Sequence, residues 1–167
     1  MKNARKPPPA AHHTVAESQV VMTQLVLPND TNQIGNLLGG RLMEWMDIAA
    51  AISAQRHSHR VCVTAAVDKL VFHEPIKLGE IVTLRASVNR AFTTSMEVGV
   101  LAEAENQLTG ERKVANTAYY TFVAVDAHTT PVRVTPVVAR TAVERRRYQE
   151  ALTRRKERLA AGSVHRQ

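Results

Sequence analysis

A single cysteine, Cys62, is present among 167 residues, so no intramolecular disulfide can form and a disulfide-stapled scaffold is excluded. No uninterrupted apolar run approaches the ~18 to 20 residues a helix needs to cross a bilayer. Aromatic residues are scarce, with three Phe, three Tyr and one Trp, too few for a platform that stacks single-stranded nucleic acid. The glycines never fall in G-x-G-x-x-G or G-x-x-x-x-G-K spacing, which removes the support for dinucleotide or nucleotide-hydrolysing chemistry. There is no G-x-S-x-G nucleophile elbow. The first residues, MKNARKPPPAAHHT, are cationic but run into proline and histidine where an export signal carries an apolar segment, so a cytoplasmic protein is expected.

What is present is enough apolar sequence for one domain with a substantial core: 44% of the residues, in a chain of the size that buries roughly 68 to 70% of its unfolded surface. The formal net charge of +7 is unevenly spread. Residues 1–13 carry +3 and residues 133–167 carry +7, which leaves residues 14–132 at −3. The basicity belongs to the ends, so a basic nucleic-acid-reading core is not expected. Three regions follow: a flexible N-terminal arm over 1–16, with order starting near Glu17; a folded domain over 17–132; and a basic extension over 133–167.

Within the domain, SQVVMTQLVL over 18–27 is rich in β-branched residues and stops at Pro28-Asn29-Asp30, which predicts a strand and a turn. After the polar segment TNQIGN, Gly39-Gly40 opens RLMEWMDIAAAISAQRH, a run of helix formers with a basic last turn. This helix is apolar around nearly its whole circumference, which predicts a central helix enclosed by other structure. Strands are expected over 61–72, 81–89, 95–105 and 113–125. Over 95–105, Met96, Val98, Val100, Ala102 and Ala104 alternate with polar positions. Connections too short for crossover helices require the last four strands to run antiparallel. The fold class is α+β, one antiparallel sheet wrapped around one long helix. The extension reads as a solvated helix with a narrow apolar seam of Val143, Tyr148, Leu152 and Leu159.

Asp47 is the oddest residue of the helix. Its helical neighbours Met43, Ala50, Ala51 and Ala54 form an apolar stripe, and a carboxylate there must be hydrogen-bonded or have a raised pKa. It reads either as a general base beside a pocket or as a helix acid tied to a core donor. Gly39-Gly40 reads either as an oxyanion hole made by free helix N-terminal amides or as a tight turn. His57 and His59 have a spacing that two metal ligands could share, but no acidic or cysteine partner follows at motif distance, and no metal is expected. Cys62, between Val61 and Val63, reads as inert core.

The segments NQIGNLLGGRLMEWMDIAAAISAQRH, VTAAVDKLVFHEPIKLGE, TTSMEVGV and TAYYTFVAVD together resemble the hotdog-fold acyl-CoA thioesterases of the brain acyl-CoA hydrolase type and their single-domain bacterial relatives. The resemblance covers Pro28 to Asp126. It implies a single hotdog domain, hydrolysis of acyl-CoA to fatty acid and CoA without a further cofactor, and a site composed of Asn32, Asp47 and Thr64. In those roles Asp47 is general base or nucleophile, Asn32 orients water or thioester, Thr64 positions Asp47, and backbone amides at Gly39 and Gly40 hold the oxyanion. It further implies a homodimer that shares its sites across the interface, assembled as a trimer of dimers, and cationic contacts to the CoA phosphates for which Arg56, Arg90 and Lys113 are candidates. An acyl-CoA-binding sensor without turnover, and a hotdog dehydratase or hydratase, are the alternatives. Dehydratase chemistry pairs a histidine with an acid, and the helix offers no histidine before His57.

Overall fold

A computed structural model describes residues 12–164. Seven strands and two long helices follow in order: β1 (His13–Thr14), β2 (Val20–Leu25), α1 (Gly39–Ser58), β3 (Val61–Phe72), β4 (Ile81–Ala91), β5 (Ser95–Glu105), β6 (Arg112–Val125), β7 (Val137–Val138) and α2 (Ala142–Val164). Five of the strands form one antiparallel sheet in the order β2-β4-β5-β6-β3, so β2 and β3 are its edges.

The expected alternation sets the core. Met96, Val98, Val100, Ala102 and Ala104 of β5 are all buried on one face, with Val82, Leu84, Ala86 and Val88 of β4 and Ala118, Tyr120, Phe122 and Ala124 of β6. That face receives α1 through Leu42, Trp45, Met46, Ala49, Ala50 and Ala54. The small residues of the middle turns allow the helix axis to approach the sheet closely, so shape here matters as much as apolar area.

Three expectations are corrected. The helix is not enclosed on every side: Met43, Ile48 and Ile52 remain 37 to 43% exposed. Uniform apolarity reflects a second face that the single chain leaves open, and edge strand β3 leaves Val61, Val63, Val67, Val71 and Phe72 exposed as well. The arm does not end at Glu17 either. His13 and Thr14 pair in parallel with Val137 and Val138, and Val15 is buried, so the arm's last residues and the extension hold one another. The rest of the arm, residues 1–11, and the terminal residues 165–167 lie outside the described residues.

The third correction concerns α2, which is helical as expected but docks by only part of the expected seam, Tyr148 and Leu152, joined by a basic face. Val143 and Leu159 of the supposed apolar seam are 49% and 60% exposed, whereas Ala151 and Arg154 are buried. The reason lies in the sheet's outer face, which is polar. Arg154 meets Glu97 through two bonds of 2.6 and 3.0 Å and lies 3.6 Å over the ring of Tyr119. Arg158 bonds Asp68, Arg155 lies 4.1 Å over Phe92, and Arg90 lies 4.0 Å over Tyr148. Planar guanidinium groups stack on rings and fork onto carboxylates, so a basic face suits this surface better than an aliphatic one.

Candidate active site

The segment between β2 and α1 is shaped by short polar side chains. Asp30 accepts the Leu27 backbone N–H at 3.0 Å, and its carbonyl accepts the Leu38 N–H at 2.8 Å, while Arg41 of the first helical turn bonds its carboxylate at 3.1 Å. Asn32 closes a turn: its Oδ1 accepts from the backbone N–H groups of Ile34 and Asn36, both at 3.1 Å. With the carbonyl oxygen so engaged, the exposed Asn32 side chain has its amide N–H groups left to offer outward.

Helix α1 then begins at Gly39 with Leu38 as a cap that makes no side-chain bond. The amides of the first turn have no intrahelical acceptor and form the positive end of the helix dipole. A side chain on Gly39 would meet the Phe72 ring at 3.3 Å, whereas one on Gly40 would meet nothing within 4 Å. Gly39 therefore satisfies a packing need, and Gly40 leaves its surroundings open.

Asp47 lies two turns further on, half-buried, and accepts a hydrogen bond from the Thr64 hydroxyl at 2.8 Å. Thr64 sits on β3 at a bulge, since the pairing with β6 shifts register between Thr64 and Ala66. Such a bulge re-aims a side chain next to it. The carboxylate on this apolar stripe is thus hydrogen-bonded.

Tyr120 was not singled out from the sequence. Its hydroxyl donates to the Met43 carbonyl at 3.4 Å, and its pKa is pushed up to about 12, first by burial and then by the negative charge of Asp47. It therefore stays protonated and neutral beside the carboxylate. The strand period of two that buries Ala118, Phe122 and Ala124 also places Tyr120 on the core face, and that was the signal available.

The expected residues thus fall into two clusters. Asn32, Gly39 and Gly40 stand at the N-terminus of α1, and Asp47 with Thr64 stands near its middle. Seven residues separate Gly40 from Asp47, a rise of roughly 10 Å along a helix. Within one chain the two clusters cannot act on the same carbonyl carbon. The cationic candidates are also engaged elsewhere. Arg56 donates to the Gln19 carbonyl, and Arg90 to the Tyr148 carbonyl, so neither joins Asp47. Lys113 bonds the Pro75 carbonyl at 2.9 Å and lies 3.8 Å from Glu80, beside the loop that follows β3. His57 is buried and donates its Nε2–H to the Thr135 carbonyl at 2.7 Å. Among the described residues no three His, Cys, Asp or Glu side chains are grouped to hold a metal ion.

The model of the thioesterase superfamily matches residues 34–111. An uncharacterised acyl-CoA thioester hydrolase of Bacillus subtilis is 44% identical over 85% of this chain and 83% of its own length. The chain belongs to the thioesterase superfamily. Its fold is the hotdog fold of that superfamily. The acetyl-coenzyme A thioesterase of Rattus norvegicus is 38% identical over 87% of this chain, which spans about a quarter (26%) of that longer protein. An apo-hexameric acyl-CoA thioesterase superposes with a TM-score of 0.89 at 34% identity, covering 92% of this chain and 99% of the other. An acyl-CoA hydrolase of Staphylococcus aureus in complex with butyryl coenzyme A, coenzyme A and coenzyme A disulfide gives a TM-score of 0.85 at 34% identity, over 92% and 96% of the two chains. Three further structures of the staphylococcal protein each carry an alanine in place of an asparagine, an aspartate or a threonine. Those three positions are spaced fifteen and seventeen residues apart in that order, the spacing of Asn32, Asp47 and Thr64 in this hotdog domain.

Proposed function

We propose that the protein is an acyl-CoA thioesterase that hydrolyses acyl-CoA to a free carboxylic acid and CoA, with its site shared between two copies of the chain. The observation that carries this reading is the Asp47 carboxylate held by the Thr64 hydroxyl at 2.8 Å, on a helix whose own unpaired amides lie roughly 10 Å away. A second copy would bring its helix N-terminus and Asn32 to this carboxylate. The apolar edge of β3 and the open side of α1 are the surfaces such a copy would cover, because an exposed edge strand of this length is otherwise an aggregation hazard. The hexameric relative supports a trimer of such dimers.

In this reaction Asp47 takes a proton from water as the water oxygen attacks the thioester carbon. The carbonyl oxygen becomes an oxyanion held by the N–H groups at Gly39 and Gly40 and by the Asn32 side-chain amide. Collapse of the tetrahedral species breaks the carbon–sulfur bond, and the proton held on Asp47 passes to the leaving thiolate. Direct attack by the carboxylate to give an anhydride uses the same groups. Lys113, which holds the Pro75 carbonyl of the loop after β3, is the remaining candidate to meet an anionic part of the substrate. The cytoplasm, with its acyl-CoA pool, is the compartment that fits.

The test is thiol release from a panel of acyl-CoAs, with subunit complementation. Asp47→Asn and Asn32→Ala are each expected to lose turnover by orders of magnitude while remaining folded. Mixed after subunit exchange, they regain part of it, since one site in such a mixed dimer keeps both native residues. Normal turnover by folded Asp47→Asn defeats the mechanism, and failure to complement despite exchange defeats the shared site.

A further inference from the structure

Asn116 is a polar residue where an apolar one would pack better. It lies on β6 between Phe72 of β3 and Ala102 of β5, its cross-strand partners, in a row that continues to Leu84 of β4. Cross-strand partners share a face of the sheet, and this is the face against α1. Asn116 is fully buried, yet neither Oδ1 nor Nδ2 has a hydrogen-bond partner. An unpaired buried amide is costly, and its retention calls for a function. A second copy cannot supply the partner, because Asn116 is already closed off within one chain.

Above this row lies a cleft of about 270 Å³ lined by Leu37, Leu42, Phe72, Pro75, Ile76 and the polar pair His73 and Glu74. Phe72 connects the three features: it lines the cleft, its ring lies against Gly39 at the helix N-terminus, and it is the cross-strand partner of Asn116. It is 53% exposed and ends a strand already irregular between Asp68 and Val71. We infer that Asn116 is a specificity-determining residue at the floor of the acyl pocket, reached when Phe72 swings aside, and that it selects short acyl groups carrying a hydroxyl or oxo oxygen. This rests on the thioesterase reading of the same site. Directly opposed residues have Cβ atoms about 4.5 to 5.5 Å apart, so Asn116 neighbours Phe72, whose ring in turn meets Gly39. The selected oxygen lies on the acyl chain beyond the thioester carbonyl. An amide both donates and accepts, which suits a hydroxyl and an oxo group alike.

The experiment compares kcat/KM for butanoyl-CoA, 3-hydroxybutanoyl-CoA, 3-oxobutanoyl-CoA and 4-hydroxybutanoyl-CoA, with the native chain and with Asn116→Leu and Asn116→Ala. The native protein is expected to favour at least one oxygenated substrate over butanoyl-CoA by about tenfold, the scale of one buried hydrogen bond. Both variants should lose that preference, so that the ratio of kcat/KM for the oxygenated substrate to that for butanoyl-CoA falls to about one. Asn116→Leu, which removes the unpaired groups at similar volume, should also raise Tm by about 2 to 4 °C. No preference in the native protein, or a preference that survives in either variant, overturns the inference even if Asn116→Leu fails to fold. Failure of the native protein to hydrolyse any acyl-CoA is a different result, which sinks the thioesterase reading and this inference with it.

Discussion

The bond from Thr64 to Asp47 can be tested apart from the base itself. Thr64→Val keeps the β-branched shape and strand propensity of the native residue and removes only the hydroxyl that donates at 2.8 Å. A hydrogen bond to a charged group is worth about 1.5 to 3 kcal/mol net. Thr64 is exposed in the single chain, so water replaces part of what is lost and the lower end of that range applies. Each 1.36 kcal/mol is a factor of ten in rate, which gives a fall in kcat of roughly ten- to thirtyfold. Because Thr64 acts by holding the carboxylate, the loss should appear in kcat with KM little changed, and Thr64→Ser should recover most of it. The assay is thiol release under saturating and limiting acyl-CoA, with Tm recorded for each variant. A folded Thr64→Val with native kcat, or a loss confined to KM, would refute the positioning role.

Two further expectations concern stability. Glu97→Ala leaves the Arg154 guanidinium buried without its carboxylate, and removal of one partner of such a pair costs about 3 to 5 kcal/mol; burial alone would lower the Arg154 pKa, but the bonds to Glu97 outweigh it and hold it above the ordinary value. Urea denaturation should show a lower midpoint for Glu97→Ala and substantial recovery in the double variant Glu97→Leu with Arg154→Leu, and equal midpoints for native and single variant would contradict the pairing. His57 is held below its ordinary value of 6.5 by burial, opposed by its bond to the Thr135 carbonyl. The unfolded chain then binds a proton that the native chain refuses, so stability is complete above about pH 6.5 and falls as pH drops from there toward the native value. Glu17 and Glu144, held below 4.5 by backbone N–H groups of Thr14 and Thr141, act at lower pH. His57→Gln should flatten the dependence of Tm on pH just below about 6.5, and an unchanged slope would exclude His57 as its source.

Much of the framework was legible because period and punctuation agree with tertiary packing. Strands 61–72 and 95–105 have the expected limits, and α1 begins at the glycine pair. Asp47 stood out because its helical neighbours are small and apolar, a conflict that only a function or a buried partner resolves. What was not legible depends on contacts between distant segments. Nothing local in HHT reveals that His13 and Thr14 pair with Val137 and Val138. Apolarity around α1 could not distinguish enclosure by one chain from a face left for a second copy, since both need the same residue types. Arg56 and Arg90 are basic and near the right elements, yet their guanidinium groups are turned to the carbonyls of Gln19 and Tyr148. Asn116 escaped notice because a single asparagine in an alternating strand carries no periodic signal.

The charge of the chain acquires a different meaning once the outer face of the sheet is considered position by position. Gly99 lacks a side chain where Asn89 lies across it, for a Cβ there would come within 2.8 Å of the Asn89 amide nitrogen. That amide donates to Glu97 at 3.0 Å, which orients the carboxylate to receive Arg154. A substitution at Gly99 would push Asn89 off Glu97 and so act on Arg154 of a helix distant in sequence. Arg158 continues the attachment to Asp68 of β3, the same strand that presents Thr64 to Asp47. Helix α2 therefore fastens β5 and β3 from behind while α1 supports the chemistry in front. Of the seven basic residues between 145 and 158, Arg154, Arg155 and Arg158 meet carboxylates or rings of the sheet. Part of the basic charge near the end of the chain is thus matched by half-buried rings and by the acids Glu97 and Asp68 of the surface beneath it.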